Sequence, residues 1–249
     1  MSIKVALAVI FSTINLVSNP IWLIAQNSQH TNSNNYQSSK EESDPGTPEG
    51  NQTPGTTRPE TSCPETAIPL TALVANNGKD LTFSEYPTFW FYIPYEPEQI
   101  HSLNFFILDS RERQTIYKTQ LQLTELSGII KVKIPENPEY ALQSNQLYRW
   151  RFNLDCNPNK TREPDLVVDG WIKKIDPQRQ DSEPLTLEII QEYQKQEIWQ
   201  DAITGLAELY FANPQQSELQ NAWVNLLRFL DLQQLEQESL VNSEVVDSQ

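Results

Sequence analysis

The sequence predicts a mainly β protein with a smaller α part: an antiparallel β-sandwich followed by a C-terminal helical region. Three observations carry this. From Leu70 to Ile175, short runs alternate apolar and polar side chains and are separated by turn residues. Past Pro177 the apolar spacing changes from period two to about 3.6. The only two cysteines, Cys63 and Cys156, bracket most of the alternating region.

The aromatic stretch Leu81–Tyr95, punctuated by Pro87 and Pro94, reads as the first core strands. Leu70–Ala75 is a weak strand, and Asn76-Asn77-Gly78 reads as a hairpin-type turn, because Asn-Gly tolerates positive φ. In Leu81–Glu85 and Thr88–Ile93, the residues Leu81, Phe83, Phe89, Phe91 and Ile93 fall on one face of their strands. The prolines lack an amide proton and mark strand ends. Ser102–Leu108, Gln114–Leu123 and Gly128–Ile134 continue the pattern, with Leu103, Phe105 and Ile107, then Tyr117, Leu121 and Leu123, then Ile130, Val132 and Ile134 inward. Leu147–Cys156 is the cleanest strand: Tyr148, Trp150, Phe152 and Leu154 alternate with Arg149, Arg151, Asn153 and Asp155. Leu166–Ile175 closes the series. Leu142 lies six residues before Tyr148. That spacing resembles the tyrosine corner of immunoglobulin and fibronectin type III sandwiches, where the phenol bonds upstream backbone. The expected fold of residues 63–180 is therefore an immunoglobulin/fibronectin-like sandwich.

Asp181-Ser182-Glu183-Pro184 reads as a helix start, with a capping side chain and a proline in the first turn. Helices are expected over Leu185–Gln196, Trp199–Ala212 and Ser217–Leu230. Trp199-x2-Ala202-x3-Leu206, with Pro214 following, resembles a tetratricopeptide repeat hairpin. A single such unit needs a neighbour to bury its faces. Residues 181–240 thus form the helical region, and 241–249 an acidic tail.

At the other end, Met1–Ala25 carries Lys4, an apolar run and a small residue before a polar change, the pattern of a secretory signal peptide. Asn15, Asn19 and Pro20 interrupt the run, which argues against a membrane anchor, the alternative reading. Residues 26–62, poor in apolar side chains, read as a disordered polar linker. Export to the periplasm or beyond makes a disulfide between Cys63 and Cys156 the expected state. No later segment is apolar enough to span a membrane.

The formal charge of −15 is uneven: −2 over residues 1–62, −2 over 63–180 and −11 over 181–249. No basic patch suited to nucleic acid exists, and an anionic membrane surface is disfavoured. The only histidines, His30 and His101, fall in the linker and at a loop start, so no metal site or cofactor is expected. Any two acids at the right separation would serve a glycosidase-type pair; the candidates Glu85, Asp109, Asp155 and Asp169 sit at strand ends or in strands, and nothing in their context singles them out. No catalytic residue is assigned, and the composition leans away from an enzyme. Trp90, Tyr92 and Tyr95, with Tyr86 nearby, are possible ligand-contact aromatics. Trp90 and Tyr92 lie opposite Phe89, Phe91 and Ile93. Exposed, their rings would stack on a sugar or on a partner's side chains; otherwise the C-terminal helices cover them. Arg149 and Arg151 either pair with acids of the helical region or face solvent.

Several segments together carry a family resemblance: Ser62-Cys63-Pro64, Pro69–Leu73, Tyr86–Tyr95, Leu147–Trp150, Asp155–Pro158, Gly170-Trp171-Ile172 and Trp199–Ala202. In this order they resemble the cyanobacterial family known as domain of unknown function 928, over about residues 62–235. The resemblance implies an exported envelope protein and brings no activity, cofactor or site residue with it. Two functional expectations follow: a non-catalytic envelope module with an unidentified protein partner, or a carbohydrate-binding, possibly hydrolytic, sandwich acting on polysaccharide.

Overall fold

The computed structural model describes residues 50–55, 61–75, 79–124, 126–159, 163–177 and 185–248. These belong to one unit, Thr47–Gln249. The expected signal peptide, the linker up to residue 49, the turn Asn76-Asn77-Gly78 and the helix start Asp181–Pro184 lie outside the described residues.

The described residues form nine strands: β1 (Thr71–Ala72), β2 (Lys79–Thr82), β3 (Thr88–Ile93), β4 (Ser102–Asp109), β5 (Thr115–Leu123), β6 (Gly128–Lys133), β7 (Leu147–Asp155), β8 (Leu166–Lys174) and β9 (Ser243–Ser248). Three helices precede β9: α1 (Leu187–Lys195), α2 (Trp199–Ala212) and α3 (Ser217–Phe229). One sheet has the order β1-β3-β6, the other β2-β8-β7-β4-β5-β9. All pairs are antiparallel except β2 with β8. The protein is therefore mainly β, with two sheets and three helices toward its C-terminal end.

The core between the sheets is what the alternation requires. Phe89, Phe91 and Ile93 of β3 meet Leu103, Phe105, Trp150 and Phe152 of β4 and β7, all buried. Phe91 stacks on Phe152 with ring centroids 4.3 Å apart, and Phe89 lies 4.9 Å from Phe105. Such ring pairs add to the burial of their own area. Near the start of β7 the Tyr148 hydroxyl accepts the Gln143 backbone N–H at 2.9 Å, and Leu142 is buried beside it.

β3 is buried along its whole length, because its second face, Trp90 and Tyr92, is covered by the helices. Leu73, Trp90, Tyr92 and Ile129 form one apolar cluster with Ala202, Ile203 and Leu206 of α2 and Trp223 and Leu227 of α3. Polar groups of α2 stitch the layers together. The Gln200 and Thr204 side chains both donate to the Thr88 carbonyl, and Asp201 Oδ2 accepts the Phe83 N–H at 3.0 Å. No helix among the described residues is long and apolar enough to cross a membrane.

Several expectations are corrected. Leu70–Ala75 and Leu81–Glu85 do not pair as a hairpin: β1 joins β3, while β2 crosses to the other sheet and runs parallel to β8. On β2 the buried positions are Asp80 and Thr82, not Leu81: the strand lies at a sheet edge, where Ala75 N–H, just past β1, reaches Asp80 and the Asp201 side chain of α2 bonds Thr82. Phe83 lies beyond β2 and packs edge-on against Tyr193 of α1 at 5.6 Å. The last residues assigned to the linker are partly built into the body: Asn51 N–H donates to the Asp169 carbonyl at 2.7 Å, and the Gln52 carbonyl accepts Ala72 N–H at 2.8 Å. The expected acidic tail instead returns to the sandwich. Val241 packs on β6 at Gly128, where a Cβ would sit 2.7 Å from Val241 Cγ1 and 2.8 Å from the Ser239 carbonyl oxygen, so only glycine fits. β9 then adds to the β5 edge. Finally, the cap of α1 is Thr186, whose hydroxyl accepts Ile189 N–H, so the helix begins at Leu187, two residues later than expected.

Candidate functional site

The disulfide end of the sandwich gathers a set of linked polar side chains. Cys63 and Cys156 are bonded, with Cα atoms 5.1 Å apart. β7 delivers Cys156 just past its last residue, and β8 begins just after Asp165. The Asp165 carboxylate accepts Ser62 N–H through one oxygen and Cys156 N–H through the other, each at 3.0 Å. Its own N–H donates to Asp155 Oδ1 at 2.9 Å, and Asp155 Oδ2 accepts the Ser102 hydroxyl at 3.0 Å. Four chain segments, at Ser62, Ser102, Asp155–Cys156 and Asp165, are thus tied together around the disulfide by two carboxylates.

On the outer face of β7 and β8, the Arg149 guanidinium pairs with Asp169, both side chains nearly inaccessible. Asn51 also reaches Asp169, its N–H and its side-chain amide each 3.2 Å from Oδ1. The guanidinium lies 4.7 Å from the Trp171 ring centroid. A charged pair taken out of water is tolerated only with good geometry and further hydrogen bonds. Here Asn51 supplies those bonds on the acid side and the Trp171 ring covers the cation.

Between these groups runs a groove of about 810 Å³, lined by Tyr95, Arg151, Asn153, Asp165 and Asp169 together with Cys63. Two of its three acids are engaged rather than free to exchange protons with a substrate: Asp165 holds two backbone N–H groups, and Asp169 holds Arg149 and Asn51, while Glu65 is exposed. The Cys63, Cys156 and Asp165 ligand atoms lie within 4.8 Å of one another. Both sulfurs are consumed by the disulfide, so this cluster is a structural knot.

The other residues singled out in the sequence are scattered. Trp90 and Tyr92 are buried under the helices and offer no ring face to a ligand, so of their two readings the covered face holds and the contact aromatics do not. Trp90 Nε1 donates to the Thr204 hydroxyl at 3.2 Å. Tyr95 is buried too, its hydroxyl donating to the Pro64 carbonyl at 3.2 Å, though it reaches the groove wall. Asp109 closes the β4–β5 turn by accepting Arg113 and Gln114 N–H at 2.6 and 2.9 Å; the Gln114 and Arg113 amides hold its carboxyl below the ordinary range. Glu85 contributes its carbonyl to Leu142 N–H. His101 is exposed. Arg149 and Arg151 pair not with helical acids but with Asp169 of β8 and with Glu112 in the β4–β5 turn, the latter at 3.0 Å. Sequence reasoning missed Asp165 and Asn51, whose partners are 103 and 118 residues away along the chain.

The family model described as Domain of Unknown Function (DUF928) matches residues 53–240. The chain belongs to the DUF928 family. No curated protein and no solved structure matches it. The DUF928 match contains the disulfide, Asp165, Trp90 and all three helices, and ends before β9.

Because Trp90 joins the helices to the sheet, Trp90→Ala acts on stability rather than on ligand binding. Removing a fully buried tryptophan costs about 3 kcal/mol or more. In urea the variant unfolds at a lower midpoint, and amides of α2 and α3 lose hydrogen-exchange protection before those of β7. An unchanged midpoint would refute the packing role.

Proposed function

We propose that this DUF928 chain is an exported, non-catalytic interaction module of the cell envelope. The body is read as an immunoglobulin/fibronectin-like sandwich carrying a tetratricopeptide-like helical hairpin. The first half of that reading is supported by the order β1-β3-β6 opposite β8-β7-β4-β5 and by the Tyr148 contact with Gln143 N–H. Export is supported by the Cys63–Cys156 disulfide, a bond that persists in oxidising compartments.

The observation that carries the non-catalytic reading is the engagement of Asp165 and Asp169 in backbone and ion-pair contacts that hold the fold, which leaves Glu65 with no second free carboxylate in the lining of the groove at the disulfide end. The polysaccharide reading loses its aromatic platform, because Trp90 and Tyr92 are covered. The test is a pair of measurements on the disulfide-intact chain. In-cell photo-crosslinking with mass spectrometry is expected to recover a protein partner from the envelope fraction, while a glycan array stays silent. Saturable binding to an array polysaccharide, or hydrolysis of it, would overturn the proposal.

A further inference from the structure

The helices that cover β3 carry a second groove on their own surface, of about 360 Å³, between α1 and α3 across α2. Its floor is apolar: Trp199, Leu206 and Leu226 are buried there. Its walls are carboxamides. Gln191 and Gln194 stand one turn apart on α1, and Asn221 and Asn225 one turn apart on α3, so each pair shares a helix face. None of these four side chains makes a hydrogen bond among the described residues, and three of the four are exposed. One end is closed by Phe229, 60% exposed, whose ring stacks on Trp199 at 4.4 Å. Glu218 is the single charged side chain in the lining.

We propose that this groove binds an extended peptide segment of a partner protein, one apolar side chain seated on the Trp199–Leu206–Leu226 floor and a basic residue beside it. The proposal rests on the interaction-module reading and names the site and the partner's chemistry. A primary carboxamide offers donors and an acceptor at once, the complement of a peptide unit's C=O and N–H. Two such pairs facing each other across an apolar floor match an extended backbone, whose polar groups need partners when its side chain is buried. A sugar fits less well: its hydroxyls would lose water against leucine side chains that return no hydrogen bond. Charge selects within peptides. Glu218 lines the groove, and residues 181–249 carry a formal −11, so a lysine or arginine flanking the apolar anchor is drawn in and an acidic peptide repelled.

The test is selection of random linear heptapeptides displayed on phage against the full disulfide-bonded chain, followed by anisotropy titration of the winning peptide, labelled with fluorescein. Enriched peptides are expected to share one apolar residue with lysine or arginine within two positions. Asn221→Ala/Asn225→Ala and Phe229→Ala, all at exposed positions, are each expected to weaken binding by about tenfold or more with an unchanged circular dichroism spectrum. Enriched peptides that bind the double variant as tightly as the unaltered chain, or no enrichment over that variant, would overturn the groove. A protein partner crosslinked equally well to the double variant would refute the groove and leave the module reading intact, whereas an array glycan as the ligand would refute both.

Discussion

Replacing both Cys63 and Cys156 with serine is expected to lower the melting temperature of the folded body by on the order of 10 °C. The bond joins positions 93 residues apart. Closing so long a loop removes roughly 4–5 kcal/mol of chain entropy from the unfolded state in the loop-closure account. The native state loses little in exchange. Asp165 still accepts Ser62 and Cys156 N–H, and Asp155 still ties β4 to the segment before β8, so the ends remain in place without the sulfurs. The variant therefore keeps its far-ultraviolet spectrum and unfolds cooperatively at a lower temperature. Adding Asp165→Ala to the serine pair removes the remaining clamp and lowers the transition further. A double serine chain that melts within about 2 °C of the parent would show that the bond is ornamental and that the loop is already closed in the unfolded ensemble.

Where the chain alternates strictly, the sequence was a sufficient guide. Tyr148, Trp150, Phe152 and Leu154 point one way, and β7 spans almost the residues expected; β4, β5 and β6 were legible for the same reason. The two longer helices also lie where the 3.6-residue spacing puts them. β3 was ambiguous in a physically meaningful way. Apolar residues on both faces mean burial on both faces or an exposed platform, and alternation cannot say which. The apolar stripes of α2 and α3 held the answer, since they needed a surface and Trp90 and Tyr92 were the one available. β9 was illegible because Ser243–Ser248 is short and acidic, with its two valines adjacent rather than alternating. Val245 and Val246 remain more than half exposed, so the strand is held chiefly by its backbone ladder with β5, which side-chain patterns do not report. The polar knot around the disulfide was hidden for a related reason: Asp165 is one acid among many in the chain, and only the fold brings Ser62 and Cys156 to it.

Asp80 is expected to make the stability of this protein fall as pH rises through neutrality. It faces inward on β2 in the row of Ile172 and Tyr148, which belong to the sandwich core, and it is only 2% exposed. One carboxyl oxygen accepts Ala75 N–H at 3.2 Å; the other has no partner among the described residues. Burial pushes its pKa up to about 8, against the opposing pull of the Ala75 amide. In the unfolded chain the same group titrates near its ordinary value of 3.8. Between those two values the folded state holds a proton that the unfolded state has released. The stabilisation is thus complete below about pH 4, declines through the window, and is gone above about pH 8, at a slope that approaches roughly 1.4 kcal/mol per pH unit. Asp201, enclosed at the start of α2 against Phe83 N–H, acts in the same direction over a narrower window, since burial raises its pKa to about 6. The exposed acids Asp109, Glu136 and Asp176 are held below their usual range and work the other way, losing their contribution only as pH falls into the acid range. The urea midpoint is therefore expected to fall steadily from pH 5 to pH 8. Asp80→Asn keeps an oxygen for Ala75 N–H and carries no titrating proton. Its midpoint should be nearly flat from pH 7 to pH 8, where Asp201 contributes little, and should exceed that of the parent at pH 8. Parallel slopes for parent and variant would mean that Asp80 is not the proton reservoir and that water reaches its unpartnered oxygen.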